Sequence, residues 1–175
     1  TQEQYNAQGH TAGETNSQGT KTYRYNAAER LVEVSQSTTR GSTTSTTYRY
    51  DPFGRRISKT NSQGGTTNTT YFVYNDTGLM AELNAQGQMT KAYGFNPQAA
   101  QAGLWSTDPL WQAEVINNSL KDSATQTHYL HTDRLGTPVL ATDKTGQTTW
   151  KGISEAFWLT RVDNSSSITM NLRFP

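Results

Sequence analysis

The residues best suited to chemistry form a histidine-containing triplet near residue 130. His128, His131 and Asp133 lie close together in the sequence, and imidazole and carboxylate groups are common metal ligands. A metal site needs three or four converging ligands, and in a β-strand His128 and His131 point to opposite faces. The sequence therefore favours structural roles, in which His131 occupies an aromatic position of a repeat and Asp133 bonds the following turn.

Paired carboxylates could hydrolyse a glycosidic bond. The acidic candidates are Asp108, Glu114, Asp122 and Glu155. Their spacing offers no support for convergence, and acidic residues scattered on loops are usually solvated. Cysteine is absent, which excludes a thiolate metal site and a cysteine nucleophile. We therefore predict no catalytic residue, no metal and no cofactor, and hence no enzymatic activity.

Aromatic side chains suggest a binding function as an alternative. All four tryptophans lie after residue 100, at Trp105, Trp111, Trp150 and Trp158. They could stack on sugar rings, but the simpler interpretation is a small apolar cluster that seals this end of the chain. Threonine-rich runs at residues 42–48 and 66–71 raise a third alternative, an ice-binding surface. These runs are doublets rather than a strict alternation, and sheets normally twist.

The composition is that of a polar β protein. The mean hydropathy of −0.80 is low enough to raise disorder, but the net charge is only +1 and 10% of residues are aromatic. Much of the polarity comes from threonine, which favours strands. The balanced charge gives no electrostatic reason to expect a nucleic-acid or membrane-surface partner. No apolar run is long enough for a transmembrane helix.

The elements that carry these residues form a repeat. An aromatic residue, then Asn or Asp, then two residues and usually glycine recur six times, with Glu29 in the glycine place of the second copy. The anchors and glycines are Tyr5, Tyr25, Tyr50, Tyr74, Phe95 and His131, with Gly9, Gly54, Gly78 and Gly136. The first five anchors are 20, 25, 24 and 21 residues apart, whereas 36 residues separate the last two, which indicates an insertion.

A second set of turn residues lies between the anchors, at Gly19, Gly41, Gly64, Gly87 and Gly146. Each repeat therefore has two turns and two extended runs, which is the pattern of a β-hairpin. The Asn or Asp can bond the backbone two residues on, and glycine supplies a positive φ. Aromatic residues two apart, such as Tyr23 and Tyr25 or Tyr48 and Tyr50, would share a face and line up across strands.

We therefore predict an all-β chain of consecutive antiparallel hairpins that forms an open, curved sheet strip. Residues 1–95 hold the regular repeats, residues 96–127 an irregular insertion and residues 128–175 a degenerate repeat. The best helix candidate runs from Asp108 to Asn117, where Asp108 could cap the helix and Pro109 could take its first position.

The pattern Tyr-x-Tyr-Asp-x-x-Gly-Arg resembles the YD repeats of the Rhs and teneurin-like family. The stretch from Tyr129 to Asp143 resembles the segment before the family's core domain, and Asn171 to Pro175 resembles the start of the next element. The resemblance implies a fragment of a larger β-shell that encloses a C-terminal toxin in a secreted bacterial protein, exported by type VI secretion or within insecticidal toxin complexes. The family's self-cleavage site would follow later in the chain.

A longer polypeptide also fits the two ends of the sequence, which does not begin with Met and stops abruptly. The expected partner is the rest of that polypeptide, namely further shell repeats and the enclosed effector. We expect the isolated chain to self-associate through its unpaired strand edges. The alternative function is a cell-surface or glycan-binding module that uses the aromatic rows.

Overall fold

The computed structural model describes residues 1–99, 108–154 and 160–172, and all regular secondary structure in these ranges is β-strand. The strands are β1 (Gln2–Tyr5), β2 (Thr11–Asn16), β3 (Gly19–Tyr25), β4 (Leu31–Thr38), β5 (Thr43–Tyr50), β6 (Arg56–Gln63), β7 (Thr66–Asn75), β8 (Gly78–Leu83), β9 (Met89–Phe95), β10 (Pro109–Glu114), β11 (Gln126–Thr132), β12 (Pro138–Thr142), β13 (Thr148–Ser154) and β14 (Thr160–Val162). They follow one another in chain order in one open antiparallel sheet. The predicted all-β succession of hairpins is confirmed.

The predicted helix from Asp108 to Asn117 is wrong, because this stretch contains strand β10. Residues of β10 are paired on both sides, so that Gln112 lies between Tyr93 of β9 and His128 of β11. Two ladders of backbone hydrogen bonds stabilise the extended form, whereas a helix of this length is marginal in water on its own. The strand lies inside the range that the sequence predicts as an irregular insertion.

One turn motif recurs at the ends of the strands. The Asn6 side-chain oxygen accepts hydrogen bonds from the backbone N–H groups of Gln8 (3.1 Å) and His10 (2.9 Å). The fourth residue, Gly9, has a φ of 84° and donates its N–H to the Asn6 carbonyl. The same use of a side-chain oxygen to bind the backbone of the turn occurs at Asn26, Asp51, Asn75, Asn84, Asn96, Asp133, Asp143 and Asp163. The predicted Asn and Asp turns are confirmed.

A β-bulge accompanies these turns. Tyr25 faces Leu31 across the β3–β4 pair, whereas the preceding Arg24 faces Glu33, so one residue of β4 has no direct opposite. The same shift occurs before the turns that begin at Asn6, Asp51, Asn84, Asp133 and Asp143. The extra residue bends the strand and increases its twist where the chain reverses.

The contacts divide the chain into two compact units. Unit 1 comprises Thr1–Phe72 with Asn84–Gly87, and unit 2 comprises Val73–Leu83 with Gln88–Pro175. In unit 1 the expected alignment of aromatic rings across adjacent strands does not occur, because Tyr23 faces Val34 and Tyr48 faces Lys59. The tyrosine-bearing strands alternate with strands that lack them, so the rings find other partners.

The tyrosine hydroxyls join each hairpin to the one before it. Tyr25 donates to the carbonyl of Thr11 (3.0 Å), and Tyr50 donates to the carbonyl of Leu31 (2.7 Å). Each acceptor is the fifth residue after the turn asparagine of the preceding hairpin. A neutral hydrogen bond of this kind contributes on the order of 1 kcal/mol, and here it is repeated along the chain.

The rings of the same tyrosines contact the residue that closes the preceding turn. His10 stacks on Tyr25 with ring centroids 4.8 Å apart, and the Arg30 guanidinium lies 6.0 Å from the centre of the Tyr50 ring. Both His10 and Arg30 are the fourth residue after their turn asparagine. Consecutive turns of unit 1 are therefore connected by side chains as well as by the backbone ladder.

Glu29 tests how much the turn depends on its left-handed position. It takes the glycine place with a φ of 59°, a conformation that disfavours side chains with a Cβ. We predict that Glu29→Gly stabilises unit 1 by about 0.5–1 kcal/mol, since the ion pair lost to His10 is exposed and weak. Urea unfolding of the variant gives the free energy directly.

The matched control is Gly9→Ala, at the same position of another turn. A Cβ at Gly9 meets no atom within 4 Å, so only its φ of 84° is disturbed. This change should destabilise unit 1 by about 1 kcal/mol. A destabilising effect of Glu29→Gly would contradict the proposed origin of the strain.

Candidate functional site

In unit 2 a short stretch of chain lies across the sheet rather than within it. Residues 168–172, hereafter the crossing segment, pack against strands β8 to β13 through side chains and backbone. Met170 is only 1% exposed, and Ile168 and Leu172 pack on the same apolar cluster. The cluster that receives them consists of Leu130, Ala141 and Trp150.

Strand register places the receiving residues on one face of unit 2, hereafter the crossed face. Directly opposed residues of an antiparallel pair share a face, as do residues two apart in one strand. The opposed pairs are Glu82 with Lys91, Tyr93 with Gln112, Gln112 with His128, Leu130 with Ala141, and Ala141 with Trp150. The crossing segment is thus held by six successive strands that present side chains on the same side.

Polar contacts fix the crossing segment to the strands beneath it. The carbonyl of Thr169 accepts hydrogen bonds from Gln112 Nε2 (2.9 Å) and Lys91 Nζ (3.5 Å). Asn171 Nδ2 donates to Glu82 Oε1 (2.8 Å). Two of these three bonds therefore go to the backbone of the segment, and they do not depend on the identity of residue 169.

Charged groups under the crossing segment are paired. Glu82 is 5% exposed and accepts a hydrogen bond from the Tyr93 hydroxyl (2.6 Å). Burial, followed by the charge of Glu82, holds the pKa of Tyr93 well above its usual range, so this hydroxyl remains a donor. Lys91 forms an ion pair with Glu114. Pairing of this kind is required, because an uncompensated buried charge is strongly destabilising.

His128 lies on the crossed face and is 3% exposed. Its Nδ1 is 3.0 Å from Thr149 Oγ1, and burial lowers the pKa of its imidazole. It borders an open cavity of about 650 Å³ whose other lining residues are mainly hydroxyl and amide side chains, including Thr125, Gln147 and Ser167. A neutral histidine is therefore part of the packed interior of unit 2.

The histidines of the candidate metal triplet do not converge. His131 faces Leu140 on the opposite side of the sheet from His128, and its Nε2 is 3.1 Å from Thr142 Oγ1. The Asp133 carboxylate accepts hydrogen bonds from backbone N–H groups of its own turn. Across the ranges that the structure describes, no three His, Cys, Asp or Glu residues are grouped to hold a metal ion.

The acidic candidates have separate local partners. Asp108 accepts a hydrogen bond from Asn96, Glu114 pairs with Lys91, and Asp122 accepts one from Asn117. The backbone N–H of Ala124 and then the Asn117 amide lower the pKa of Asp122. Glu155 lies outside the described residues. The three that are described thus serve loops and strands.

The tryptophans that the structure describes are occupied by packing. Trp150 is 2% exposed within the apolar cluster under Met170. The Trp111 indole covers Gly94 so closely that a Cβ there would lie 2.0 Å from Nε1. Trp105 and Trp158 lie outside the described residues. The buried position of Trp150 agrees with a packing role and leaves it no surface for a sugar.

The predicted anchors lie beside the turns. Tyr5, Tyr25, Tyr50 and Phe95 each end a strand, and Tyr74 is the last residue but one of β7. In the sixth copy Thr132 precedes the turn aspartate, so His131 lies one residue earlier than the other anchors. The predicted glycines Gly9, Gly54, Gly78 and Gly136 all have positive φ.

Sequence reasoning missed two features. The turn at residues 84–87 repeats the four residues Asn-Ala-Gln-Gly of residues 6–9, and this identity could have shown that both ends of the hairpins use the same motif. The crossing segment has no comparable signal, because its polar contacts join residues that are 57 and 89 positions apart.

Known protein families match three stretches of this chain. The RHS Repeat family matches residues 5–43 and 34–67, and the RHS protein family matches residues 127–159. The chain belongs to the Rhs repeat family. The second match covers strands β11 to β13 and thus the part of the crossed face that receives Met170.

Two bacterial toxins are similar to this Rhs chain over most of its length. Double-stranded DNA deaminase toxin A of Burkholderia cenocepacia is 28% identical over 142 residues, and toxin protein Tse5 of Pseudomonas aeruginosa is 26% identical over 146 residues. These matches cover 76% and 75% of the chain but only 10% and 11% of the toxins. The chain therefore spans about a tenth of the length of these relatives.

A solved structure shares the fold. The crystal structure of TcdB2-TccC3-TEV superimposes with a TM-score of 0.51 and 17% identity, over 88% of this chain and 8% of the other. The described ranges contain no helix with the length and apolarity needed to span a bilayer. The Rhs chain thus has the architecture of one stretch of a much longer β-strand protein.

His128 should make the stability of unit 2 depend on pH. Its folded pKa is lowered, so the unfolded chain binds a proton more readily, and stability is lost as the pH falls below about 6.5. One proton contributes a slope of at most about 1.4 kcal/mol per pH unit. Urea unfolding at several pH values between about 7.5 and 5.5 measures it.

His128→Gln should reduce this slope, because the buried titrating group is gone. The control is His131→Gln, which changes an exposed histidine on the other face and should leave the slope unchanged. Equal slopes in the protein and in His128→Gln would show that the pH dependence has another origin.

Proposed function

We propose that this chain is a wall segment of a β-shell that encloses a C-terminal effector within a longer, secreted bacterial polypeptide. The observation that carries the proposal is the repeated joint between hairpins, in which Tyr25 and Tyr50 each bond a carbonyl of the preceding hairpin. In a repeat array each unit is stabilised by its neighbours, so a strip of this kind can be lengthened without a new design.

The toxin relatives support the rest of the proposal. Both are about ten times longer than the match, which leaves room in them for further repeats and for a separate toxic part. We propose the same division of labour here, with a structural role for this chain and any toxic activity elsewhere in the polypeptide. The partners of the chain are then the remaining shell repeats and the enclosed effector, and export by type VI secretion is the route that we propose.

Protease resistance of the effector tests enclosure in the intact polypeptide. Met170→Ala removes a fully buried side chain from the crossed face, which typically costs about 2–5 kcal/mol. A loss of about 3 kcal/mol raises the open population roughly 100-fold, and proteolysis follows that population. We expect cleavage of the C-terminal part to accelerate by at least about tenfold.

Met80→Ala is the matched control, since Met80 is 42% exposed and its loss should change stability by less than about 0.5 kcal/mol. Immunoblotting of a C-terminal tag measures the half-life of the effector part in each variant. Enclosure is contradicted if that part is digested at the same rate in Met170→Ala, Met80→Ala and the unchanged protein.

We also propose that the isolated chain self-associates through the outer edge of β1. All four residues of β1 are exposed, and Tyr5 is 60% exposed. An unpaired edge offers backbone donors and acceptors to another strand. Light scattering of the isolated chain at about 100 μM should detect oligomers, a concentration at which weak interfaces are populated. A monomer at this concentration would exclude the edge as a contact.

A further inference from the structure

The crossing segment shows how the crossed face of unit 2 holds a polypeptide. The segment starts beside β13, where the N–H of Ser167 donates to the Thr149 carbonyl (2.8 Å). It then passes Gln112 of β10 and reaches β8, where Asn171 binds Glu82. The chain therefore runs across the strands, from the last part of the unit towards its first strand, and stays on one face.

The chemistry of this contact suits an extended chain of variable sequence. Apolar side chains enter the face at alternate positions, at residues 168, 170 and 172. Between them the carbonyl of Thr169 receives two donors, one amide and one ammonium group. Backbone recognition with alternate apolar contacts is the way in which sheets bind extended peptides of differing sequence.

The crossed face continues beyond the point where the crossing segment reaches β8. Met80 lies two residues before Glu82 on the same strand, so it shares the crossed face, and it is 42% exposed. An exposed methionine is an adaptable contact for chains of differing sequence. The face thus offers a further apolar contact beside the place that Asn171 occupies.

We propose that the crossed face of unit 2 is the side that faces the enclosed polypeptide, and that the chain downstream of the crossing segment continues along it. This inference rests on the proposed function, because it specifies which of the two faces of the wall is internal. The opposite face, which carries Tyr129 and His131, is then external.

Thiol labelling of the intact polypeptide tests this assignment. Residues 1–175 contain no cysteine, so a single introduced thiol in this part is identified unambiguously by peptide mass spectrometry. Gln126 and Thr127 are adjacent, both exposed, and face opposite sides, since Gln126 faces Glu114 and Thr127 faces Ala113. Gln126→Cys and Thr127→Cys therefore form a matched pair at one depth of the sheet.

A second pair repeats the test elsewhere in the unit. Met80→Cys lies on the crossed face and Tyr129→Cys on the opposite face, and the two native side chains are similarly exposed, at 42% and 47%. The probe is N-ethylmaleimide, and the rate for each thiol is divided by its rate in denaturant. We expect both crossed-face thiols to react at least about tenfold more slowly than their partners, because reaction there requires local opening.

Equal rates within both pairs, or slower reaction at Thr127→Cys and Tyr129→Cys, would overturn the assignment. Protease digestion of the same samples separates this failure from failure of the proposed function. If the effector part resists protease while the opposite-face thiols are the protected ones, the shell is retained and only its inner face is wrong. If the effector part is digested freely, enclosure itself is wrong, whichever thiols react.

Discussion

The hydrogen bonds from the backbone to one Asn or Asp oxygen per turn are the interactions on which the rest of the sheet depends. At Asn6 one oxygen satisfies two backbone donors where the chain reverses, and this fixes the residue at which each strand ends. A slip of one residue would move every side chain of a strand to the other face. The position of the turn therefore determines which face carries the tyrosines and, in unit 2, which face receives Met170.

The two units are stabilised in different ways. In unit 1 hydroxyl groups bond across strands, as between Thr60 and Thr69 (3.0 Å), and tyrosine hydroxyls bond the preceding hairpin. A chain with only 32% hydrophobic residues can thus build a sheet from polar contacts. Unit 2 adds an apolar cluster and a set of paired charges, and both lie under the crossing segment. Large, buried side chains are found where this extra layer of chain exists.

The sequence predicts this fold wherever the chemistry is local. Turns at Asn6 and Asp51 follow from a side-chain oxygen and a glycine only a few residues apart, so they are legible in a single repeat. Strand β10 was not predicted, because its extended form depends on pairing with Tyr93 and His128 rather than on its own residues. The crossed face was beyond reach for the same reason, since Asn171 and Glu82 are far apart in the chain.

The order of the strands has a consequence for how the protein is made. Because each strand pairs with the one synthesised just before it, the sheet has low contact order, and hairpins can form one after another as the chain leaves the ribosome. The crossing segment is the exception, since its partners on β8 emerge some 89 residues earlier and wait uncovered. Its arrival therefore marks the completion of unit 2 and removes the last exposed apolar surface of that cluster from reach of other nascent chains.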